Sequence, residues 1–193
     1  MALPYLAWYP LANKVRKIFF FLSVIGLFFI SCSGPDENDD GEYTPIPYSL
    51  EIPAFFQEKL ISPLIPSNNP LTEEGVALGK KLFFDTSLSG NNTQSCASCH
   101  KPQNSFTDNT RFSDGIDGVF GSRNSMPLFN LAWNFSERFA WDGKEISLER
   151  QALEPVKNPI EMHSRWADVA SKLQQDPEYP TLFLRAFGTS TID

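Results

Sequence analysis

Cys96-Ala-Ser-Cys-His100 decides how the rest of the chain is read. Two cysteines three positions apart, followed at once by histidine, form the attachment pattern of a c-type haem. The two thiols make thioethers to one porphyrin, and the histidine supplies a nitrogen to its iron. A redox Cys-x-x-Cys would follow a strand in a βαβ unit, and no such pattern surrounds this one. A structural zinc site would need a second pair of ligands. The sequence offers only Cys32 and His163 beyond the motif. The reading is therefore one covalent haem c on Cys96 and Cys99, with His100 as the iron ligand.

Upstream lies an export signal. Residues 18–30 are almost wholly apolar and follow Lys14, Arg16 and Lys17, the charged and greasy regions of a secretory signal. Those 13 residues are short of the roughly 20 that span a bilayer. Phe29-Ile30-Ser31-Cys32 resembles a bacterial lipobox, although Phe29 stands where leucine is usual. Lipidation of Cys32 is the reading preferred here. The alternative is an ordinary signal peptide cut near that residue. Either places the mature domain in the periplasm or on the outer-membrane surface. Asp36, Glu37, Asp39 and Asp40 then open an acidic, proline-containing tether. The expected organisation is a signal over 1–32, a tether over 33–62 and a haem domain over 63–193.

The chain carries a formal charge of −7, and loss of residues 1–32 would make it −10, because that segment holds three basic and no acidic side chains. That balance argues against nucleic acid as a partner. The domain reads as mainly α, a cytochrome c-like arrangement of short helices and long packed loops. Thr72 is the N-cap of a helix whose first turn carries Glu73 and Glu74. Ser95 caps the short helix of the haem motif, Ser147 starts a helix running to Leu153, and Ser164 starts another that stops at Asp176-Pro177. A last helix from about Pro180 to Phe187 ends at Gly188. Residues 101–129 lack periodicity, but Phe106, Phe112, Ile116, Val119, Phe120 and Phe129 predict a packed loop that keeps a porphyrin dry.

The sixth iron position separates the possible chemistries. An electron carrier fills it, usually with Met or His, and Met126, Met162 and His163 are the candidates. A peroxidase leaves it open. In Asn158-Pro-Ile-Glu-Met-His163, Glu161 is suited to take a proton from bound hydrogen peroxide and return it as the O–O bond breaks. Composition alone is equally compatible with an exposed loop acid at Glu161 and a core residue at Met162.

Five blocks in order widen the reading: Leu78-Gly-Lys-Lys-Leu-Phe-Phe-Asp85, Cys96-Ala-Ser-Cys-His100, Arg123-Asn-Ser125, Trp141-Asp-Gly143 and Asn158-Pro-Ile-Glu-Met162. Together they resemble the N-terminal, peroxide-reacting haem domain of the bacterial di-haem cytochrome c peroxidase and MauG family. The resemblance implies that Glu161 is the acid–base group and that Gln151 is its hydrogen-bonding companion. It implies that Trp141 aids electron passage toward a second haem, and that Asn124 contributes to a calcium site in the full-length enzyme. It implies reduction of hydrogen peroxide with electrons from a small cytochrome c or cupredoxin. A mono-haem electron carrier and a MauG-like oxidase of a protein or organic substrate are the alternatives. Two departures stand out. Typical members carry a gating histidine ahead of the Arg-Asn-Ser block, whereas here Gly115-Ile-Asp-Gly-Val-Phe-Gly121 contains none. The second haem motif of the family is also not in this sequence, so the chain reads as a truncated copy that needs a C-terminal haem domain.

Overall fold

The computed structural model describes residues 43–193. The signal and lipobox expectations, with Cys32, lie outside them. Six helices carry the described chain: α1 (Ala54–Lys59), α2 (Glu73–Phe84), α3 (Cys96–Cys99), α4 (Leu148–Lys157), α5 (Trp166–Gln175) and α6 (Tyr179–Phe187). Pairing between extended segments amounts to isolated bridges among the described residues. The domain is mainly α, as the sequence implied.

The helix starts follow their local chemistry. Thr72 is extended, and its Oγ1 accepts the Gly75 N–H at 3.0 Å, which satisfies one of the orphan donors of the first turn. Ser95 and Ser98 form a reciprocal capping box at α3. Ser147 accepts from the Arg150 N–H at 3.2 Å. The helix at Ser164 begins one residue later than expected, with Arg165 at the cap. Gly188 ends α6 at φ +76°, a left-handed position that suits glycine.

Two stretches differ from expectation. α4 runs through Pro155 to Lys157 instead of stopping at Leu153. Proline leaves the Gln151 carbonyl without its helical partner, but Val156 is only 2% exposed and anchors this last turn in the core. The chain then folds back: Met162 N–H donates to Pro155 O at 3.2 Å and Ser164 N–H to Val156 O at 2.8 Å. Residues 43–62, read as part of the tether, include α1 and carry hydrogen bonds to the domain. Tyr43 donates its hydroxyl to Ala186 O at 3.0 Å, Tyr48 N–H reaches Leu71 O at 3.0 Å, and Trp133 Nε1 reaches Ile61 O at 2.9 Å.

The core lies between α2, α4, α5 and α6. Leu78, Leu88, Val156, Met162, Val169, Leu173, Tyr179 and Ala186 form one buried cluster, with Leu82, Trp166, Leu182 and Phe183 packed against it. At its edge the Lys172 ammonium donates to Ser87 O, Ser89 O and Asn92 Oδ1, all within 2.9 Å. It thereby ties α5 to the loop that leads into the haem motif.

Candidate haem site

Cys96, Cys99 and His100 sit on α3 and its C-cap, all half-buried. The His100 Nδ1 lies 2.9 Å from Phe106 O. A carbonyl can only accept, so Nδ1 carries the proton and Nε2 keeps its lone pair for a metal. Outer partners of this kind fix the ring and tautomer of a metal-bound histidine. The backbone is bent to supply it: Ser105 and Phe106 both adopt left-handed conformations, φ +58° and +59°. Each such residue costs on the order of 1–2 kcal/mol, and the strain is concentrated where the carbonyl meets His100. The Phe106 ring packs edge-on against Phe83 of α2 at 6.3 Å between centroids.

As free thiols both cysteines are held neutral. Burial pushes Cys96 above its ordinary value. Burial, reinforced by the charges of Asp108 and Glu161, pushes Cys99 up to about 11. Redox-active Cys-x-x-Cys pairs show the opposite, a depressed thiol pKa. Neutral thiols beside a histidine with a free Nε2 fit covalent attachment of a porphyrin.

The long loop after the motif is held differently from expectation. Only Ile116 of its apolar residues is buried, at 3% exposure, and Phe112, Val119, Phe120 and Phe129 are exposed. Hydrogen bonds do the holding instead. Asp108 is 6% exposed and accepts from Ser113 Oγ, from Thr110 N–H at 3.2 Å and from Ser125 N–H at 3.3 Å. Burial alone would raise its carboxyl, but these donors outweigh it and hold the carboxyl below its usual range. Ser125 Oγ in turn donates to Cys99 O at 2.8 Å, which joins the Arg-Asn-Ser block to α3.

Glu161 is brought to the same place by three backbone clamps. Gly90 N–H donates to Met162 O at 2.8 Å. Ile116 N–H is shared between Ile160 O at 2.8 Å and Glu161 O at 3.2 Å. A Cβ on Gly115 would meet Ile160 O at 2.1 Å and Val119 O at 2.4 Å, so only glycine permits this approach. The Glu161 side chain is exposed, yet enough protein surrounds its carboxyl that desolvation raises its pKa. The Asn158 hydrogen bond and the charges of His100 and Lys144 oppose that rise. The charge of Glu161 acts on Cys99 and that of His100 acts on Glu161, so the carboxyl lies near enough to the attachment helix to couple with it electrostatically.

The other expected residues fall as follows. Gln151, on α4, buries its Oε1 with no hydrogen-bond partner. Such an orphaned acceptor is what a bound ligand or water would satisfy. Trp141 is 53% exposed at the tip of the Phe139–Glu145 bridge, and its Nε1 donates to Asn124 O at 2.8 Å. Asn124 and Trp141 are thus joined through the Asn124 main chain. No three His, Cys, Asp or Glu side chains cluster to hold a metal ion among the described residues. Met162 is 4% exposed, and its side chain packs within the core cluster. Asn158 is part of the Asn-Pro-Ile-Glu-Met block, but its hydrogen bond to Glu161 is not legible there. The close approach at Gly115 and the Ile116 clamp were missed by sequence reasoning, and the glycine-rich composition of residues 115–121 was the one signal that pointed at them.

A mainly helical domain with this thiol–histidine site is a c-type haem domain. The comparisons make the assignment specific: residues 73–193 match the family described as di-haem cytochrome c peroxidase, and the chain belongs to that family. It is 44% identical over 124 residues to the methylamine utilization protein MauG of Methylorubrum extorquens, covering 64% of this chain and 35% of that protein. It is 40% identical over 124 residues to the cytochrome c peroxidase Ccp of Escherichia coli, covering 64% of this chain and 26% of that protein. The chain thus spans about a third or less of the length of these relatives. Among solved structures, a MauG-like protein associated with microbial copper homeostasis superposes with a TM-score of 0.65 at 33% identity, covering 73% of this chain and 40% of that one.

Proposed function

We propose that this chain carries the peroxide-reacting haem domain of a cytochrome c peroxidase, reducing hydrogen peroxide to water with electrons from a small cytochrome c or cupredoxin. The observation that carries the reading is the clamping of the Glu161 segment by Gly90 and Ile116, from the loops before and after the haem motif, with the Glu161 charge coupled to His100 and Cys99. Cys96, Cys99 and His100 would hold haem c, which when bound would supply the redox equivalents and the Lewis acidity for O–O cleavage. The remaining work falls to the chain's own side chains. Glu161 accepts a proton from hydrogen peroxide and delivers it to the departing oxygen, which leaves as water. Partial desolvation raises its pKa and improves it as an acid, while Asn158 keeps enough of the ionised form for it to act as a base. Gln151 offers its unpartnered amide oxygen to the peroxide O–H. Trp141 passes electrons toward a second haem domain, and Asn124 contributes to calcium binding in the full-length enzyme. The protein is exported to the periplasm and tethered by lipid on Cys32.

A second reading, a MauG-like oxidase of a protein or organic substrate, draws support from the residues 113–121. They contain no histidine and are hydrogen-bonded to the Glu161 segment through Ile116. Stopped-flow mixing of the haem-loaded protein with hydrogen peroxide tests the acid–base assignment. Glu161→Gln is expected to slow the reaction by roughly 10²–10⁴-fold with haem content unchanged. An unaltered rate would remove Glu161 from the chemistry.

A further inference from the structure

Asn158 makes more use of its polar atoms than any other residue of the Glu161 segment. Its main-chain N–H donates to Glu154 O at 3.1 Å and closes α4. Its main-chain carbonyl accepts from Glu161 N–H at 3.1 Å and His163 N–H at 2.9 Å. Its side chain divides the remaining duties. Oδ1 accepts from Ile160 N–H at 3.0 Å, an Asx turn that shapes the loop. Nδ2 donates to Glu161 Oε1 at 2.8 Å. The main-chain clamps on Met162, Ile160 and Glu161 fix where the loop lies, but none of them touches the Glu161 carboxylate. Among the described residues, the hydrogen bond recorded for that carboxylate comes from Asn158.

We propose that Asn158 is a positioning residue for Glu161, its amide nitrogen holding one carboxylate oxygen so that the other is turned to exchange a proton with peroxide. The inference rests on the acid–base reading of Glu161. The geometry supports it in two ways. Asn158 is rigid, since both ends of its amide and both of its main-chain groups are engaged. Its donor occupies Oε1 only, which leaves Oε2 for the substrate. Three further titratable groups couple to this carboxyl through their charge: His100 and Cys99 from α3 and its cap, and Lys144 from the segment before α4. His100 is committed to Phe106 O through Nδ1.

Asn158→Asp separates the two duties of the side chain. Aspartate keeps an oxygen for Ile160 N–H, so the turn survives. It loses the donor to Glu161 and sets a second negative charge beside it. Asn158→Ser is the uncharged companion: its hydroxyl can still make the turn but is too short to reach Oε1. Both are compared with wild type and Glu161→Gln in the haem-loaded protein, by stopped-flow reaction with hydrogen peroxide across pH. Loss of a hydrogen bond to a charged group corresponds to roughly 10–100-fold in rate. Asn158→Asp and Asn158→Ser should each slow the reaction by about that factor. In Asn158→Asp the rising limb of the pH profile should move to higher pH, because an unsupported carboxylate beside a negative charge protonates more readily. In the Glu161→Gln background neither change should slow the reaction further. A purely structural role predicts a wild-type rate and profile for Asn158→Asp, or full additivity with Glu161→Gln, and either result overturns the proposal while leaving the Glu161 reading intact. A wild-type rate for Glu161→Gln itself overturns both.

Discussion

Tyr179→Phe isolates one buried contact at the centre of the domain. Tyr179 is 2% exposed and donates its hydroxyl to Asp85 Oδ2. Asp85 also accepts the Ser87 N–H at 2.7 Å, capping the turn after α2. Phenylalanine preserves the ring, its core packing and the Lys81 ammonium 5.1 Å above it, so only the hydrogen bond is removed. A hydrogen bond to a charged group is worth about 1.5–3 kcal/mol, and for a domain of this size each kcal/mol shifts the melting temperature by about 2–4 °C. The variant should therefore melt about 3–12 °C lower, with haem attachment unchanged. The loss should also depend on pH. Burial pushes Asp85 up, but the hydrogen bonds from Tyr179 and Ser87 outweigh it, so its folded pKa lies below its ordinary value. A depressed carboxylate contributes stability above its unfolded pKa of about 4, and the contribution disappears as pH falls through the folded value. Tyr179 is shifted the other way: burial, then the Asp85 carboxylate, raise its hydroxyl well above the usual range. That contribution is complete below its unfolded pKa of about 10 and is lost above it. The gap between wild type and variant should be widest between these limits and narrow on both sides. Urea denaturation followed by circular dichroism measures it. A gap below about 0.5 kcal/mol at neutral pH, or one that persists undiminished in acid, would refute the reasoning.

Gly115→Ala drives a methyl into Ile160 O and Val119 O, both of which are hydrogen-bond acceptors. It should destabilise the protein by about 1–3 kcal/mol in denaturant titration and slow the peroxide reaction through displacement of Glu161. Cys96→Ala combined with Cys99→Ala should leave no haem stain after denaturing electrophoresis, and retained stain would refute covalent attachment at this pair. Cys32→Ser should move the protein from the membrane fraction to the soluble periplasmic fraction, whereas a wild-type protein already soluble would count against the lipid anchor.

The parts of this structure that the sequence made legible are those decided within a few residues. Thr72, Ser95 and Ser147 cap helices with their own side chains, and Gly188 takes a left-handed turn. The haem motif is equally local, since Cys96, Cys99 and His100 need only one helical turn. What escaped is decided at a distance. The helix from Ser147 is expected to end at Leu153, yet core burial of Val156 and the returning N–H groups of Met162 and Ser164 hold a further turn to Lys157. The aromatic residues of 101–129 suggested apolar packing, while Asp108 and its donors carry that loop. α1 has no buried residue and so left no periodic signature. Glu161 was recognisable through its Asn-Pro-Ile-Glu-Met setting. Its approach to α3 depends on the clamps of Gly90 and Ile116, which come from loops 71 and 45 positions earlier in the chain.

The central claim is that this domain holds its haem for reaction with peroxide and not for simple electron carriage. The ferric absorption spectrum of the haem-loaded protein tests it most directly. The acid–base reading of Glu161 predicts a high-spin spectrum with an open sixth position, which hydrogen peroxide converts on mixing. A low-spin spectrum with methionine or histidine as sixth ligand, unmoved by peroxide, would contradict the account.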